Sequence, residues 1–291
     1  MEQRSTAPRI YGKEIFFNFQ EIPYSDVNEG LNLVQLVKER KMDGFVIKNV
    51  FSDEEVKDIL AAAAQIPEHE KMNVPTGKLF PLPFATITDA TEKLENYAKQ
   101  TALLNQMKSN KAVDTLLERL DVFFKKVAGS FNVNVPLIKS KNSRVAPGNF
   151  RFFMPDHGGL YVHCGYLFQA QAPFYYTVVE PMALENQLSY FVLLQNSEVG
   201  GELTIYDMEW KDIKTKDSQQ ENEYVLDKHG NKVYLKDVRS FSVKPLAGDI
   251  LVFAGGPIWH RVEDIKGTIP RITFGGFLNF SNDNKSLFYW S

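Results

Sequence analysis

Five histidines (His69, His157, His163, His229 and His260) and one cysteine, Cys164, are all the imidazole and thiol ligands in this 291-residue chain. A lone cysteine excludes an intrachain disulfide and a zinc site built from paired thiolates. A metal held through nitrogen must draw on that short list of histidines. His69 lies among charges in PEHEK, and His229 lies in the turn DKHGNK; both read as surface residues. His157 sits in PDHGG, a glycine-rich turn. His163 closes the extended run LYVH, and His260 follows DILVFAGG and Trp259. These two end predicted strands, where side chains converge in a barrel mouth. A partly buried, hydrogen-bonded histidine is the ordinary fate of either one alone. For the pair, that reading and a ligand reading are evenly matched.

A two-histidine, one-carboxylate triad with open positions marks the non-haem Fe(II) oxygenases. It needs Asp or Glu two residues after the first histidine. Strand alternation puts residue 165 on the face of His163, with Cys164 opposite, and residue 165 is Gly165. Either there is no metal, or the missing side chain leaves a coordination position to an exogenous anion. In the second case Fe(II) is held by two neutral imidazoles, a bidentate 2-oxoglutarate and a chloride, with one position for dioxygen. His157-Gly158-Gly159 is a competing match, set aside because its glycines form a turn and a metal ligand needs a rigid element. Further on, PRITFGGF carries Arg271 and Thr273. From a strand next to that of His260, the guanidinium fork suits the distal carboxylate of 2-oxoglutarate, with the threonine hydroxyl as a second donor. The alternative, a surface ion pair, fits poorly with the apolar neighbours Ile272, Phe274, Phe277, Leu278 and Phe280.

The elements that must position these residues divide the chain in two. Residues 1–132 read as a mainly helical flank. Helices are expected over 26–41, 52–66, 90–107 and 111–131, with a strand over 44–50 and a proline-rich loop over 72–88. Ser52 with Glu55 forms a capping-box signature. Residues 133–291 read as short strands over 135–138, 149–154, 159–163, 187–195, 202–207, 241–243, 249–254, 259–262 and 271–280. Their spacing predicts a double-stranded β-helix, a cupin-like jelly roll, giving an α+β single domain over 1–291. The charged interruption over 209–239 is either a lid at the substrate site or a solvated excursion.

Hydrophobic residues make up 44% and charged residues 24%, and the net charge is −3, which is ordinary globular usage with no electrostatic footprint for nucleic acid. No signal-like leader and no bilayer-length apolar run is present, so a cytoplasmic protein with no membrane partner is expected. A monomer or a homodimer is expected.

The second half resembles the free-standing Fe(II)/2-oxoglutarate-dependent halogenases of hapalindole- and welwitindolinone-type alkaloid biosynthesis. The likeness rests on VHCG at 162–165, QLSYF at 187–191, GGELTIYDMEW at 200–210, GDILVFAGG at 248–256, HRVEDIKG at 260–267, PRITFGGFLNFS at 270–281 and the terminal FYWS. The N-terminal helices match only in pattern. The resemblance implies that His163 and His260 are iron ligands and that Gly165 makes the pocket for chloride (or bromide). It implies that Arg271 and Thr273 bind 2-oxoglutarate, with Arg151 helping to position cofactor or halide. Ser189 matches a family serine that favours halogen transfer over hydroxylation. Phe80, Leu82 and Phe84 of the proline-rich loop, and Tyr224 of the insertion, would line the substrate pocket. The substrate implied is a free small molecule, not one tethered to a carrier protein, attacked at an unactivated aliphatic carbon with dioxygen as co-substrate. Two readings compete: a 2-oxoglutarate hydroxylase whose carboxylate comes from elsewhere, such as Asp207 or Glu209, and a jelly-roll binding module without a metal.

Overall fold

A computed structural model describes residues 9–11, 14–84, 92–138, 143–171, 182–183, 185–213 and 223–291. Positions 85–88 of the expected loop, 90–91 of the expected helix and 214–222 of the insertion lie outside the described residues.

The chain opens with a hairpin of β1 (Arg9–Tyr11) and β2 (Glu14–Phe17), then β3 (Phe19–Pro23). The helix expected over 26–41 shortens to α1 (Leu33–Lys38) after two single turns. Asn28 caps the second turn through its side chain, and Asn32 takes a left-handed conformation, φ 47°, that interrupts helical continuity. β4 (Gly44–Lys48) follows, then α2 (Asp53–Ala64), which carries the expected capping box between Ser52 and Glu55.

The expected loop over 72–88 opens instead with a hairpin, β5 (Met72–Val74) and β6 (Gly77–Phe80), because Pro75, Thr76 and Gly77 make a tight reversal between two extended runs. α3 (Glu92–Gln106) and α4 (Lys111–Val127) come next. α4 buries Val113, Leu116, Leu117, Leu120, Phe123, Phe124 and Val127, the stripe that helical spacing dictates. Arg119 on its other side donates to Val50 O at 2.7 Å and to Glu55 Oε1 at 2.6 Å, tying α4 to the cap of α2.

The second half contains β7 (Asn132–Asn134), β8 (Leu137–Ile138), β9 (Ser143–Arg144), β10 (Asn149–Phe153), α5 (Gly165–Gln171), β11 (Leu188–Gln195) and β12 (Leu203–Glu209). The insertion holds a hairpin, β13 (Tyr224–Leu226) and β14 (Lys232–Tyr234). β15 (Ser240–Val243), β16 (Ile250–Phe253), β17 (Ile258–Val262), β18 (Arg271–Phe280) and β19 (Ser286–Trp290) complete the chain.

These strands form a ten-stranded sheet in the order β3-β4-β16-β11-β18-β10-β6-β5, with β19 on β18 and β7 on β19, and a three-stranded sheet β15-β12-β17. The two sheets enclose the cavity described below, with antiparallel pairing dominant, as in a jelly roll. The boundary expected at residue 132 is not a boundary of the sheet, because β3 to β6 come from the first half and extend it. They pair there because runs such as GFVIK are apolar on both faces and are buried against α1, α2 and α4 as well as the barrel.

Candidate active site

Directly opposed residues of antiparallel strands share a face, so the strand registers define the cavity wall. β18 is paired along both edges. Thr273 stands opposite Arg151 on β10 and opposite Leu193 on β11, and Arg151 stands opposite Leu79 on β6. Arg271 stands opposite Phe153, and Phe277 opposite Ser189, which in turn faces Phe253 on β16. Arg151, Phe153, Ser189, Phe191, Thr273 and Phe277 line one side of a cavity of about 320 Å³. Leu203, His260 and Val262 from the small sheet, with Tyr161, His163, Gly165 and Phe168, line the other.

The two cavity histidines are joined by their backbones. His163 N–H donates to His260 O, and His260 N–H donates to His163 O, both at 2.8 Å. This reciprocal pair is the only β-bridge of the expected strand over 159–163. The chain leaves the ladder at once, and Gly165 is the first residue of α5. The strand alternation used to place residue 165 therefore does not operate. Gly165 reaches the cavity through the turn into α5, where its N–H donates to Gly255 O at 2.7 Å.

The imidazole centroids lie 4.3 Å apart. Each Nδ1 bonds the backbone carbonyl two residues back, His163 to Tyr161 O at 2.7 Å and His260 to Ile258 O at 2.8 Å. A carbonyl only accepts, so each Nδ1 carries the proton and each neutral ring keeps its Nε2 lone pair for another partner. Burial, reinforced by the charge of Arg151, lowers the His163 pKa to about 4. Burial and then the neighbouring His163 push His260 well below its ordinary value. Both rings are neutral at physiological pH, the state that ligates a metal.

Facing them are two cations, Arg271 buried and Arg151 half-buried. Arg271 packs its guanidinium over the Phe191 ring at 4.9 Å and makes no hydrogen bond or salt bridge to another described residue. Arg151 donates through Nε to Asn149 Oδ1 at 2.9 Å and likewise has no carboxylate partner among the described residues. Burial lowers Arg151 to about 10 and, with repulsion from Arg151, lowers Arg271 to about 9; both remain charged at neutral pH. Unpaired buried charges are costly. These two cations beside two neutral imidazoles fit a metal together with a dianionic, carboxylate-bearing cofactor.

The substrate-pocket residues expected from sequence fall elsewhere. Phe80 stands opposite Phe150, on the other face of β6 from Leu79, and is fully buried in the core. Phe84 packs edge-on against Tyr97, with centroids 4.9 Å apart, and Leu82 is buried with its N–H bonded to Gln100. Their neighbours Leu79 and Pro83 line the cavity instead. Tyr224 packs edge-on against Tyr234 in the insertion hairpin, under Lys232. That hairpin buries Val225 with Cys164 and Trp259, behind the strand whose front presents His260, so its described part is not a lid over the cavity. Phe153, Phe168 and Phe277 were missed as cavity residues. The odd-numbered alternation of Arg151, Phe153, Arg271, Thr273 and Phe277 is the signal that points to two of them.

Asp207 and Glu209 do not supply the absent carboxylate. Asp207 pairs with Arg239, and Glu209 pairs with Arg40 at 3.3 Å and Lys211 at 2.9 Å, away from the cavity. Among the described residues no group of His, Cys, Asp and Glu side chains converges on a three-ligand metal site.

The model of the carrier-protein-independent halogenase WelO5 matches residues 16–291. The chain belongs to this halogenase family. It is a non-haem iron, 2-oxoglutarate-dependent radical halogenase, an oxidoreductase acting on a free small molecule. No curated protein matches the halogenase significantly. Among solved structures it is similar to an N-substituted L-amino acid dioxygenase from Burkholderia ambifaria AMMD. Identity is 13%, coverage is 88% of this chain and 89% of that chain, and the TM-score is 0.54. The same dioxygenase in complex with alpha-KG aligns with a TM-score of 0.52 at the same identity and coverage. At this identity the likeness shows the fold, the 2-oxoglutarate oxygenase jelly roll. Among the described residues of the halogenase, no helix is long and apolar enough to cross a membrane.

Proposed function

We propose that His163 and His260 hold the Fe(II) through Nε2, that Gly165 leaves a coordination position to chloride or bromide, and that Arg271 and Thr273 take the distal carboxylate of 2-oxoglutarate. The observation that carries this reading is the meeting in one cavity of two neutral imidazoles and two guanidiniums that have no carboxylate partner among the described residues. When bound, the iron with 2-oxoglutarate, dioxygen and halide supplies radical replacement of an aliphatic C–H hydrogen by halogen, with succinate and carbon dioxide as co-products.

The chain's own residues orient and enclose. The Tyr161 and Ile258 carbonyls fix both rings by accepting from Nδ1–H. The Arg271 fork, steadied on Phe191, offers paired donors to a carboxylate. Arg151 supplies a second positive charge for the cofactor's other end or for the halide. Phe153, Phe168, Phe253 and Phe277 exclude water around the reacting carbon. Ser189, on the wall opposite the histidines, orients the reacting groups so that halogen rather than hydroxyl is delivered. Leu79, Pro83, Tyr161 and Phe168 face the substrate, whose apolar surface they match.

The test is mass spectrometry of the iron-loaded enzyme with 2-oxoglutarate, dioxygen and a panel of candidate small molecules, with and without chloride. The expected product gains chlorine in place of hydrogen only when chloride is present. Gly165→Asp should abolish chlorination and leave, at most, hydroxylation. Unchanged chlorination in that variant rejects the halide assignment.

A further inference from the structure

Behind Gly165 runs a buried hydrogen-bond chain built from three segments of the sequence. Trp290 Nε1 donates to Asn279 Oδ1 at 3.0 Å, and Gln187 Nε2 donates to the same oxygen at 3.3 Å. Asn279 Nδ2 donates to Ala183 O at 3.0 Å. An indole N–H only donates, so Trp290 requires the Asn279 oxygen on its side, and the Ala183 carbonyl requires the Asn279 amide on the other. With Asn279 fixed, Gln187 must present its nitrogen to it. The Gln187 Oε1 is thereby turned away, buried and without a hydrogen-bond partner among the described residues. It is turned toward Gly165, where a Cβ would stand 2.2 Å from it and 3.0 Å from the Gly256 Cα. Gly256 is held in place, its N–H donating to Gln187 O at 3.0 Å. Buried carbonyl oxygens are costly to leave without a donor.

We propose that Gln187 is a positioning residue for the exogenous anion. Its carboxamide fills the space in which a side chain at position 165 would begin. Its oxygen, sealed from solvent, keeps that space closed, so that the anion beside Gly165 has a fixed wall on this side. This rests on the assignment of the halide position to Gly165. It extends that assignment because the exclusion of a protein carboxylate then depends on two residues, the absent side chain at 165 and the fixed amide at 187. The QLSYF, FLNFS and FYWS runs acquire a shared role, delivering Gln187, Asn279 and Trp290 to one chain.

Two measurements test this. The first is thermal unfolding of metal-free protein. Gly165→Ala should lower Tm, and Gln187→Ala should lower it separately. The double variant should lose clearly less than the sum of the two, because Gln187→Ala vacates the volume the new methyl needs. Additive losses overturn the shared volume. The second is chloride titration of the Fe(II)–2-oxoglutarate enzyme, followed by its visible charge-transfer band. Gln187→Ala, which opens the space behind Gly165 to water, should weaken apparent chloride affinity about five-fold. Gln187→Glu should weaken it further by charge repulsion. Unchanged affinity in both, with a wild-type band that responds to chloride, overturns the role of Gln187 alone. A wild-type band indifferent to chloride overturns the halide assignment and this proposal with it.

Discussion

The cavity is built from two kinds of wall. β18 is a ten-residue strand paired along both edges, and its register sets Arg271 and Thr273 to the cavity through a continuous ladder. The segment from Leu160 to Gly165 joins the small sheet at a single bridge, His163 to His260, before turning into a seven-residue helix. The wall to which we assign the cofactor therefore inherits the rigidity of the fold, whereas the wall to which we assign the halide hangs on a few bonds. On that assignment, small changes at one turn would alter the outcome while the cofactor side stays fixed.

The largest expected effect breaks the rigid side without harming the fold. Arg271→Ala should weaken 2-oxoglutarate binding about 100- to 1000-fold by calorimetry, the loss of a bidentate charge-assisted pair. Arg271→Lys should recover only a fraction, since an ammonium lacks the planar fork. The Tm of the metal-free Arg271→Ala protein should be equal to or above wild type, because a buried unpaired charge is removed; a marked drop would mean that Arg271 is structural.

The two walls should also differ in stability cost. Phe274, fully buried against Phe150 with centroids 4.8 Å apart, should cost about 3–5 kcal/mol as Phe274→Ala in urea unfolding. Leu160→Ala, on the half-buried loose segment, should cost about 1 kcal/mol. Equal costs would erase the contrast.

The pH dependence is more modest per unit. Both cavity histidines have depressed pKa values in the folded protein, His163 to about 4, so the unfolded chain binds more protons as pH falls below about 6.5. Stability of the metal-free protein is thus complete above that pH. It should decline toward pH 4 by about 1.4 kcal/mol per pH unit for each ring that titrates only on unfolding. A flat profile between pH 7 and 5 would place the rings in solvent. The smallest effect is Ser189→Ala, expected to leave turnover near wild type and to raise the hydroxylated fraction of product by mass spectrometry. An unchanged ratio removes Ser189 from outcome control.

Sequence patterns anticipated the parts whose periodicity is strong. β18 and the α4 stripe match their expected faces, because ten and seventeen residues of consistent spacing leave little freedom. The pocket residues of the proline-rich loop were displaced by a single position. Phe80 and Leu79 differ only in which face of β6 they occupy, and that is set by pairing with β10, a long-range fact. Gly165 shows the converse. It lies in the cavity, but the strand alternation invoked to put it there is absent. Gln187 left no local signature, because its orientation depends on Asn279 and Trp290, residues distant in the chain.

Arg151 and Arg271 have a consequence for the whole molecule. Two like charges, one buried and one half-buried, within electrostatic range of each other oppose folding of the protein alone. A dianion seated between them, as we propose for 2-oxoglutarate, would reverse that sign, and occupancy would raise the unfolding free energy in proportion to the logarithm of its free concentration. The co-substrate would then double as a folding ligand. The Tm of the metal-free protein would then climb with 2-oxoglutarate concentration, with no turnover needed.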